Sequence, residues 1–327
     1  MKKKELNNKH NNFLIFSFLL IIFYILFSCE TLDKNLLSNY IINDLDYFSL
    51  STLNDDFGFA ISSDPHFFGK NSNLQASINI LRTCEKYYLE GRIEKLFILG
   101  DFFDIGGLKE NWIRFLKLKK EISPNIKILS VIGNHDKYFG GQIFWKNIFG
   151  SIKSQDFNYG PSSFIWHYSF KNFHFIGLNL PSGFFNMKPT EIKWIEEELN
   201  KIPNEDFIVI LSHSFFYSSG YKDISGNWFD NKGNIKNIAP IFANKADLVV
   251  SGHNHYMEWI EQDDLVWIIV GAMGGKPDPS PSFITKGSKW FLKDQFGFFL
   301  IEIKGEKIHC SFQDQFGNIL FHKTLKK

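Results

Sequence analysis

Arginine is almost missing from this chain. Of its 36 basic residues only Arg82, Arg92 and Arg114 are arginines, the rest being lysines, and the formal net charge is +1. No basic run forms the electrostatic footprint of a nucleic-acid binder, so nucleic acid is not an expected partner. Cysteine is equally scarce, with Cys29, Cys84 and Cys310 the only three in 327 residues. Their spacing excludes a zinc–thiolate site and a disulfide framework. Cys84 falls in a helical pattern and Cys310 in a late strand, so two separate buried thiols are expected, although an oxidising compartment permits a bridge. Long apolar runs are also lacking, with one exception at the N-terminus. What is abundant is phenylalanine, 37 residues, within a composition of 44% hydrophobic and 22% charged residues. That balance suits a globular chain long enough to bury a sizeable core.

The exception lies at residues 13–28, which follow a polar, basic stretch at 1–12 and are apolar apart from Ser17, Tyr24 and Ser28. A basic segment followed by an apolar one of this length reads as an export signal, short for a membrane span. Leu26-Phe27-Ser28-Cys29 resembles a bacterial lipobox, with an apolar residue at −3 and a small one at −1. The expectation is a signal peptide over 1–28, an acylated Cys29 beginning a polar tether over 29–55, and a single globular domain over 56–327. Losing Lys2, Lys3, Lys4, Lys9 and Glu5 would leave a net charge of −2. An uncleaved N-terminal helix is the alternative anchor, and an ordinary cleaved signal without lipid is a third possibility. Each puts the globular domain outside the cytoplasm, as a membrane-anchored lipoprotein facing the periplasm or the cell surface in the first case.

Along the remainder, short apolar runs alternate with amphipathic stretches. Residues 57–62, 95–99 and 126–132 read as buried strands. Helices are predicted over 71–90, stopped by Gly91, and over 112–120. A short helix is predicted over 142–149, and another over 190–201 with Thr190 as its N-cap and Glu191 in the first turn. An antiparallel pair is expected over 164–170 and 173–179, and further strands over 207–211, 247–251 and 265–270. The last strands fall at 297–303, 307–313 and 319–323, with hairpin turns at Gly305 and Gly317. Residues 276–288 are rich in Pro, Ser and Gly and read as a loop. Strand–helix–strand order implies a partly parallel sheet with right-handed crossovers, and the late hairpins imply a mixed or second sheet.

Five of these strands end in polar clusters: Asp64 with His66, Asp101 with Asp104, Asn134-His135-Asp136, His213 alone, and His253 with His255. Within Asp-Pro-His and His-Asn-His the two side chains project to one side of an extended segment. Oxygen and imidazole donors without thiolate suit Mn, Fe, Zn or similar ions. The remaining histidines, His10, His167, His174, His309 and His322, fall outside these clusters and read as surface or core residues. The aromatics Phe102, Phe103, Phe139, Phe215, Phe216, Tyr217, Trp228 and Phe229 lie in or near strand-end loops. Core packing is the expected role for each taken singly, with substrate contact the alternative.

In this order the clusters spell Asp-x-His, Gly-Asp-x-x-Asp, Gly-Asn-His-Asp, a lone His and Gly-His-x-His. The sequence thereby resembles the calcineurin-like metallophosphoesterase superfamily over roughly residues 57–275. Residues 212–220 and 267–275 are similar to segments of its secreted, acid-phosphatase-like branch. The resemblance implies a four-layer α/β/β/α sandwich of two mixed β-sheets flanked by helices, and a site for two divalent or trivalent metal ions (Mn, Fe or Zn). Carried over, it assigns Asp64, His66 and His255 to one ion, Asn134, His213 and His253 to the other, and Asp101 to both. It gives His135 the catalytic role toward the leaving group or the phosphoryl oxygens, with Asp104 and Asp136 orienting imidazoles or turn amides. Purple acid phosphatases carry a Tyr where this chain has Asp104, so a Tyr–Fe chromophore is not expected. The implied function is hydrolysis of a small-molecule phosphomonoester or phosphodiester. The alternatives are a surface lipoprotein that binds a partner around a structural metal site, motivated by the anchor and tether, and a nuclease, which the missing basic run argues against.

Overall fold

The computed structural model describes residues 56–183 and 187–325. The expected signal, Cys29 and the whole of the tether lie outside the described residues. Six strands form one sheet: β1 (Phe57–Ser62), β2 (Lys95–Ile98), β3 (Lys127–Ser130), β14 (Gly297–Lys304), β15 (Lys307–Asp314) and β16 (Ile319–Leu325). Their order is β16-β15-β14-β1-β2-β3, with β1, β2 and β3 parallel and the rest antiparallel.

A second sheet has eight strands: β4 (Phe157–Tyr159), β5 (Trp166–Phe170), β6 (Phe173–Gly177), β7 (Phe207–Ser212), β10 (Leu248–Ser251), β11 (Met257–Gln262), β12 (Leu265–Val270) and β13 (Ser288–Leu292). Their order is β13-β11-β12-β10-β7-β6-β5-β4, and β6, β7, β10 and β12 run parallel. A separate hairpin pairs β8 (Tyr221–Asp223) with β9 (Gly226–Trp228).

Strand periodicity explains the layering, because successive side chains point to opposite faces. In β7, Phe207, Val209 and Leu211 enter the core between the sheets, where they meet Phe59, Ile61, Phe97 and Trp259. Ile208 and Ile210 point the other way, into an apolar layer with Ile195 and Leu199. Those two residues belong to helix α5 (Pro189–Lys201), so the sheet is covered on both faces. On the outer face of the six-stranded sheet lie α1 (Leu74–Leu89) and α2 (Lys109–Ile122), which bury Ile80, Leu81, Trp112 and Phe115. The remaining helices are short: α3 (Asn134–Lys137), α4 (Gln142–Phe149) and α6 (Lys232–Asn237). The four-layer arrangement expected from the motifs is the one observed. The many phenylalanines hold its centre, where Phe175 of β6 lies 4.5 Å from the rings of both Phe59 and Phe97.

Local chemistry sets the element ends. Asn73 caps α1, its side-chain oxygen accepting from the amide of Ala76, and Gly91 leaves the helix at φ +71°. Thr190 is not the N-cap of α5. Pro189 occupies the first helical position, where its preset φ and missing N–H suit a helix start. The cap is Lys188, whose amide donates to Glu191 Oε2 at 3.0 Å. The stretch expected to be loop through residue 288 is extended from Ser288 onward as edge strand β13, paired with β11. Cys84 and Cys310 are both buried and free, one in α1 and the other in β15.

Truncating Phe175 to Ala is expected to destabilise the domain by about 3–5 kcal/mol, as for other large aromatic core truncations. Ile319→Ala, at a position 63% exposed, is expected to fall within about 0.5 kcal/mol of wild type. Urea unfolding of both variants checks this, and equal losses would contradict the assignment of the core to the space between the sheets.

Candidate metal centre

Five parallel strands, three from one sheet and two from the other, deliver their C-terminal ends to one place, the usual location of sites in open α/β sheets. Hydrogen bonds stitch those ends across the sheets. His213 Nδ1 donates to the carbonyl of Leu99 at 2.6 Å, and the His253 amide donates to Asp64 Oδ2 at 2.9 Å. The turns are tight enough to demand unusual backbone. Asp64 (φ 52°), His66 (42°), Asp101 (54°) and His253 (72°) all occupy the left-handed region, which disfavours residues with a Cβ and is tolerated where the surroundings hold it. At Gly133 a Cβ would lie 2.1 Å from Asp101 Oδ1, so only glycine lets the β3 turn pass this carboxylate.

Two groups of donor atoms result. Asp64, His66 and His255 place one ligand atom each within 4.8 Å of one another, and so do Asp101, His213 and His253. Asn134 joins the second group, with Oδ1 3.0 Å from His213 Nε2. Asp101 lies between the groups, its Oδ2 being 3.3 Å from His213 Nε2 and 3.8 Å from His66 Nε2. One oxygen bears directly on whether a cation fits. Asp64 Oδ1 is buried and has no hydrogen-bond partner among the described residues, although it faces His255 Nε2 at 3.4 Å. A buried carboxylate oxygen without a donor is unfavourable unless a cation meets it. The donor set, all oxygen and imidazole, fits the expected ions.

The imidazoles are aimed by their other nitrogens. His66 Nδ1 donates to Asp104 Oδ1 at 2.8 Å, His213 Nδ1 to the Leu99 carbonyl, and His255 Nδ1 to the Lys276 carbonyl. Each bond fixes a tautomer and leaves the Nε2 lone pair facing inward. His253 is turned the other way, with Nδ1 3.0 Å from His213 Nε2. Its ring is flanked by Trp228 at 5.0 Å and Phe215 at 5.8 Å between centroids. Asp136 is fully buried and accepts from the amides of Asp101, Phe102 and Gly133 at 2.8–2.9 Å. It thereby ties the β2 and β3 turns together. His135 stands at the edge. Its Nδ1 donates to the Asp104 carbonyl at 2.8 Å, while Nε2 points toward Asp101 Oδ2, 4.0 Å away.

Charge explains the protonation pattern of the protein alone. Burial by itself would raise Asp64, but His213 and His255 outweigh it and hold the carboxyl at about 2. Burial likewise opposes the charge of Asp101, and His213, His135 and His66 keep it well below the usual carboxylate range. The two carboxylates overcome burial at His213, lifted to about 9, and Asp64 with Asp278 does so at His255, lifted to about 10. His253, buried next to the charged His213, drops to about 3. The carboxylates thus favour the protonated forms of His213 and His255 in the protein alone.

Every motif residue expected from the sequence is present in this cluster or directly behind it. Three partners carried no sequence signal. The Leu99 and Lys276 carbonyls act through backbone, and Asp278 lies in the Pro-rich loop, where its Oδ2 accepts from the His255 amide at 2.8 Å. Of the loop aromatics, Phe102 and Phe103 are core residues and Phe139 is exposed, whereas Phe215, Trp228 and Phe229 line a cavity beside His253.

Comparison with known proteins places these motifs. The calcineurin-like phosphoesterase family matches residues 57–257. Purple acid phosphatase 3 of Arabidopsis thaliana is 27% identical over 125 residues, which cover 36% of this chain and 32% of that protein. The chain thus spans about a third of the length of that curated relative. The solved purple acid phosphatase PPD1 from yellow lupin (Lupinus luteus) seeds superposes with a TM-score of 0.65 at 16% identity, covering 83% of this chain and 54% of that one. GAP50, the anchor in the inner membrane complex of Plasmodium, gives 0.61 at 16% identity, over 83% of this chain and 89% of its own. A dimetal phosphatase from Danio rerio gives 0.55 at 12% identity, over 83% and 98%. These structural likenesses show a shared fold.

The protonation pattern yields a pH test. His213 and His255 have folded values above the ordinary 6.5. Their stabilisation is therefore full below pH 6.5 and is lost as pH rises through about 9 and 10. Asp64, depressed from 3.8 to about 2, acts in the opposite window, its contribution present above 3.8 and lost on acidification through about 2. The melting temperature of metal-free protein is expected to fall steadily above pH 6.5. Added Mn²⁺ or Zn²⁺ is expected to flatten that slope, because metal binds the unprotonated ligands. A metal-free melting temperature constant up to pH 10 would contradict the paired charges.

Proposed function

We propose that this chain, which belongs to the calcineurin-like phosphoesterase family, hydrolyses small-molecule phosphoesters at a dinuclear metal site. The observation that carries the reading is Asp101, one buried carboxylate oxygen within 4 Å of an imidazole from each donor group. That is the placement a shared ligand needs. Asp64, His66 and His255 would hold one ion, and Asn134, His213 and His253 the other, with Asp101 common to both. The ions, when bound, supply positive charge toward the phosphoryl oxygens and acidify water near neutral pH.

The protein's own part begins with position. Asp104 and the Leu99 and Lys276 carbonyls keep three imidazoles in the ligating tautomer. Asp136 holds the amides on either side of Asp101 and so fixes the shared carboxylate. His135 handles the proton. Its Nδ1–H is committed to the Asp104 carbonyl, so transfer occurs at Nε2, the nitrogen that faces the centre. As the oxygen of water bonds to phosphorus and its surplus proton passes to solvent, the opposite P–O bond breaks. The departing oxygen takes the electron pair and receives the His135 Nε2 proton.

The same reading divides the chain into a signal over 1–28, a tether over 29–55 beginning with an acylated Cys29, and a catalytic domain over 56–327. It places that domain on the extracytoplasmic side of a bacterial membrane. The motif preceding Cys29 supports this.

Steady-state turnover of one phosphomonoester and one phosphodiester, with metal content measured alongside, tests the chemistry. Asp101→Asn is expected to lose metal and nearly all activity. His135→Ala is expected to keep both metals while turnover falls about 100- to 10,000-fold, the range for loss of a proton donor. Metal-loaded protein inactive on every ester would favour the binding role. For the anchor, Cys29→Ala in the full chain is expected to move the protein from the membrane fraction to the soluble one and to abolish incorporation of labelled fatty acid. Unchanged membrane association would favour an uncleaved N-terminal helix.

A further inference from the structure

The hairpin β8–β9 belongs to neither sheet, yet it is fastened to the centre at several points. Its tip is closed by Asp223, whose Oδ1 accepts from the Ser225 and Gly226 amides and from Trp228 Nε1. At its base Gly220 exchanges backbone hydrogen bonds with Phe283, and Phe229 stacks on the Phe283 ring at 4.5 Å. Tyr221 donates to Asp278, the residue that also holds the His255 amide. Asn254, between the two histidines of β10's loop, donates to the Trp228 carbonyl at 2.9 Å. The hairpin therefore moves with the metal-site loop, and Trp228 is fixed against His253.

Beside Trp228 opens a cavity of about 750 Å³, whose floor is formed by Asn134 and His253. Its walls include Tyr138, Phe215, Trp228 and Phe229, with Asp230 and Lys232 among the polar groups. A phosphoryl group alone fills a small part of this volume, which lies within the range of sites for whole small molecules. Tyr138 is 44% exposed, its ring is 4.8 Å from that of His135, and its hydroxyl lies 3.4 Å from Asn134 Nδ2. It thus stands next to His135, the residue assigned the proton transfer above. Aromatic walls with a few polar groups suit a flat ring, through offset or edge contacts.

We propose that this cavity receives the alcohol portion of the substrate, and that this portion carries a planar aromatic ring packed against Tyr138 and Trp228. The inference rests on the hydrolytic reading given above and adds the substrate class. The ring can belong to a simple aryl group or to a nucleoside, since the two share the flat π-face. Tyr138 and Trp228 are then specificity-determining residues.

The test uses benzyl phosphate, AMP and butyl phosphate, which all release primary alcohols and so differ little in leaving-group chemistry. For the metal-loaded protein, kcat/KM on at least one aromatic ester is expected to exceed that on butyl phosphate about tenfold or more, the scale of one good hydrophobic contact. The better of the two aromatic esters distinguishes nucleoside from aryl. Trp228→Ala is expected to collapse the ratio mainly through KM, and Trp228→Phe to restore most of it. A wild-type ratio near one overturns the proposal, as does an equal loss on all three esters in Trp228→Ala. Calorimetric binding of benzylphosphonate against butylphosphonate, neither hydrolysable at phosphorus–carbon, answers the same question without turnover. A preference for benzylphosphonate in protein that hydrolyses nothing would uphold the pocket and remove the hydrolytic reading. Equal affinity would remove the pocket.

Discussion

Burying Asp64 and Asp101 within one small space is the constraint that the rest of the structure answers. Two carboxylates deprived of water repel one another, and each loses several kcal/mol of solvation. The protein offsets this with donors converging from every side. The His253 amide reaches Asp64 and the His135 amide reaches Asp101. Imidazoles of His66 and His255 crowd the other oxygen of Asp64, and that of His213 the other oxygen of Asp101. One oxygen, Asp64 Oδ1, is left without a hydrogen bond. The arrangement is therefore completed by positive charge, supplied by protons on His213 and His255 in the protein alone and by metal ions in the proposed enzyme.

Holding such a cluster needs a scaffold that does not yield. Four of its residues sit in the left-handed backbone region, a conformation that persists only where the surroundings over-determine it. Here the surroundings are two sheets clamped face to face by interlocking aromatic rings, with apolar side chains on both faces of the strands that end at the site. Asp136 adds a polar lock, joining two turns through three amides. Rigidity at the strand ends is what allows the donor atoms to be aimed before any ligand arrives, which is the condition for a precise site.

The β8–β9 hairpin and the loop around Asp278 are a different kind of element. They contribute nothing to either sheet, and their side chains face the cavity or solvent, as with the fully exposed Ile224 at the hairpin tip. Among their ties to the centre is Asp278, shared by Tyr221 and His255. On the proposed reading the chemistry resides mainly on the strand ends and part of the selectivity on an appended structure, a division that lets one fold serve many substrates.

The sequence by itself determined the reactive groups and their order. Each lies directly after a short apolar run, and a buried strand followed by Asp, Asn or His is a local pattern that survives without knowledge of the fold. The strand β7 and the Gly91 stop of α1 were legible for the same reason, since adjacent residues decide them, whereas the helix begins at Leu74 behind the Asn73 cap and not at residue 71. Even so, the Thr190 cap gave way to Lys188, two positions earlier, because Pro189 starts the helix, and β13, which begins at the last residue of the Pro- and Ser-rich stretch, was not foreseen. Only the tertiary structure decided which nitrogen of each imidazole faces inward, because the Leu99 and Lys276 carbonyls that fix it are backbone groups whose identity no side chain records. It alone paired Asp278 with His255 and set Trp228 against His253. Those contacts join residues more than twenty positions apart, and they exist only once the strand ends have met in space.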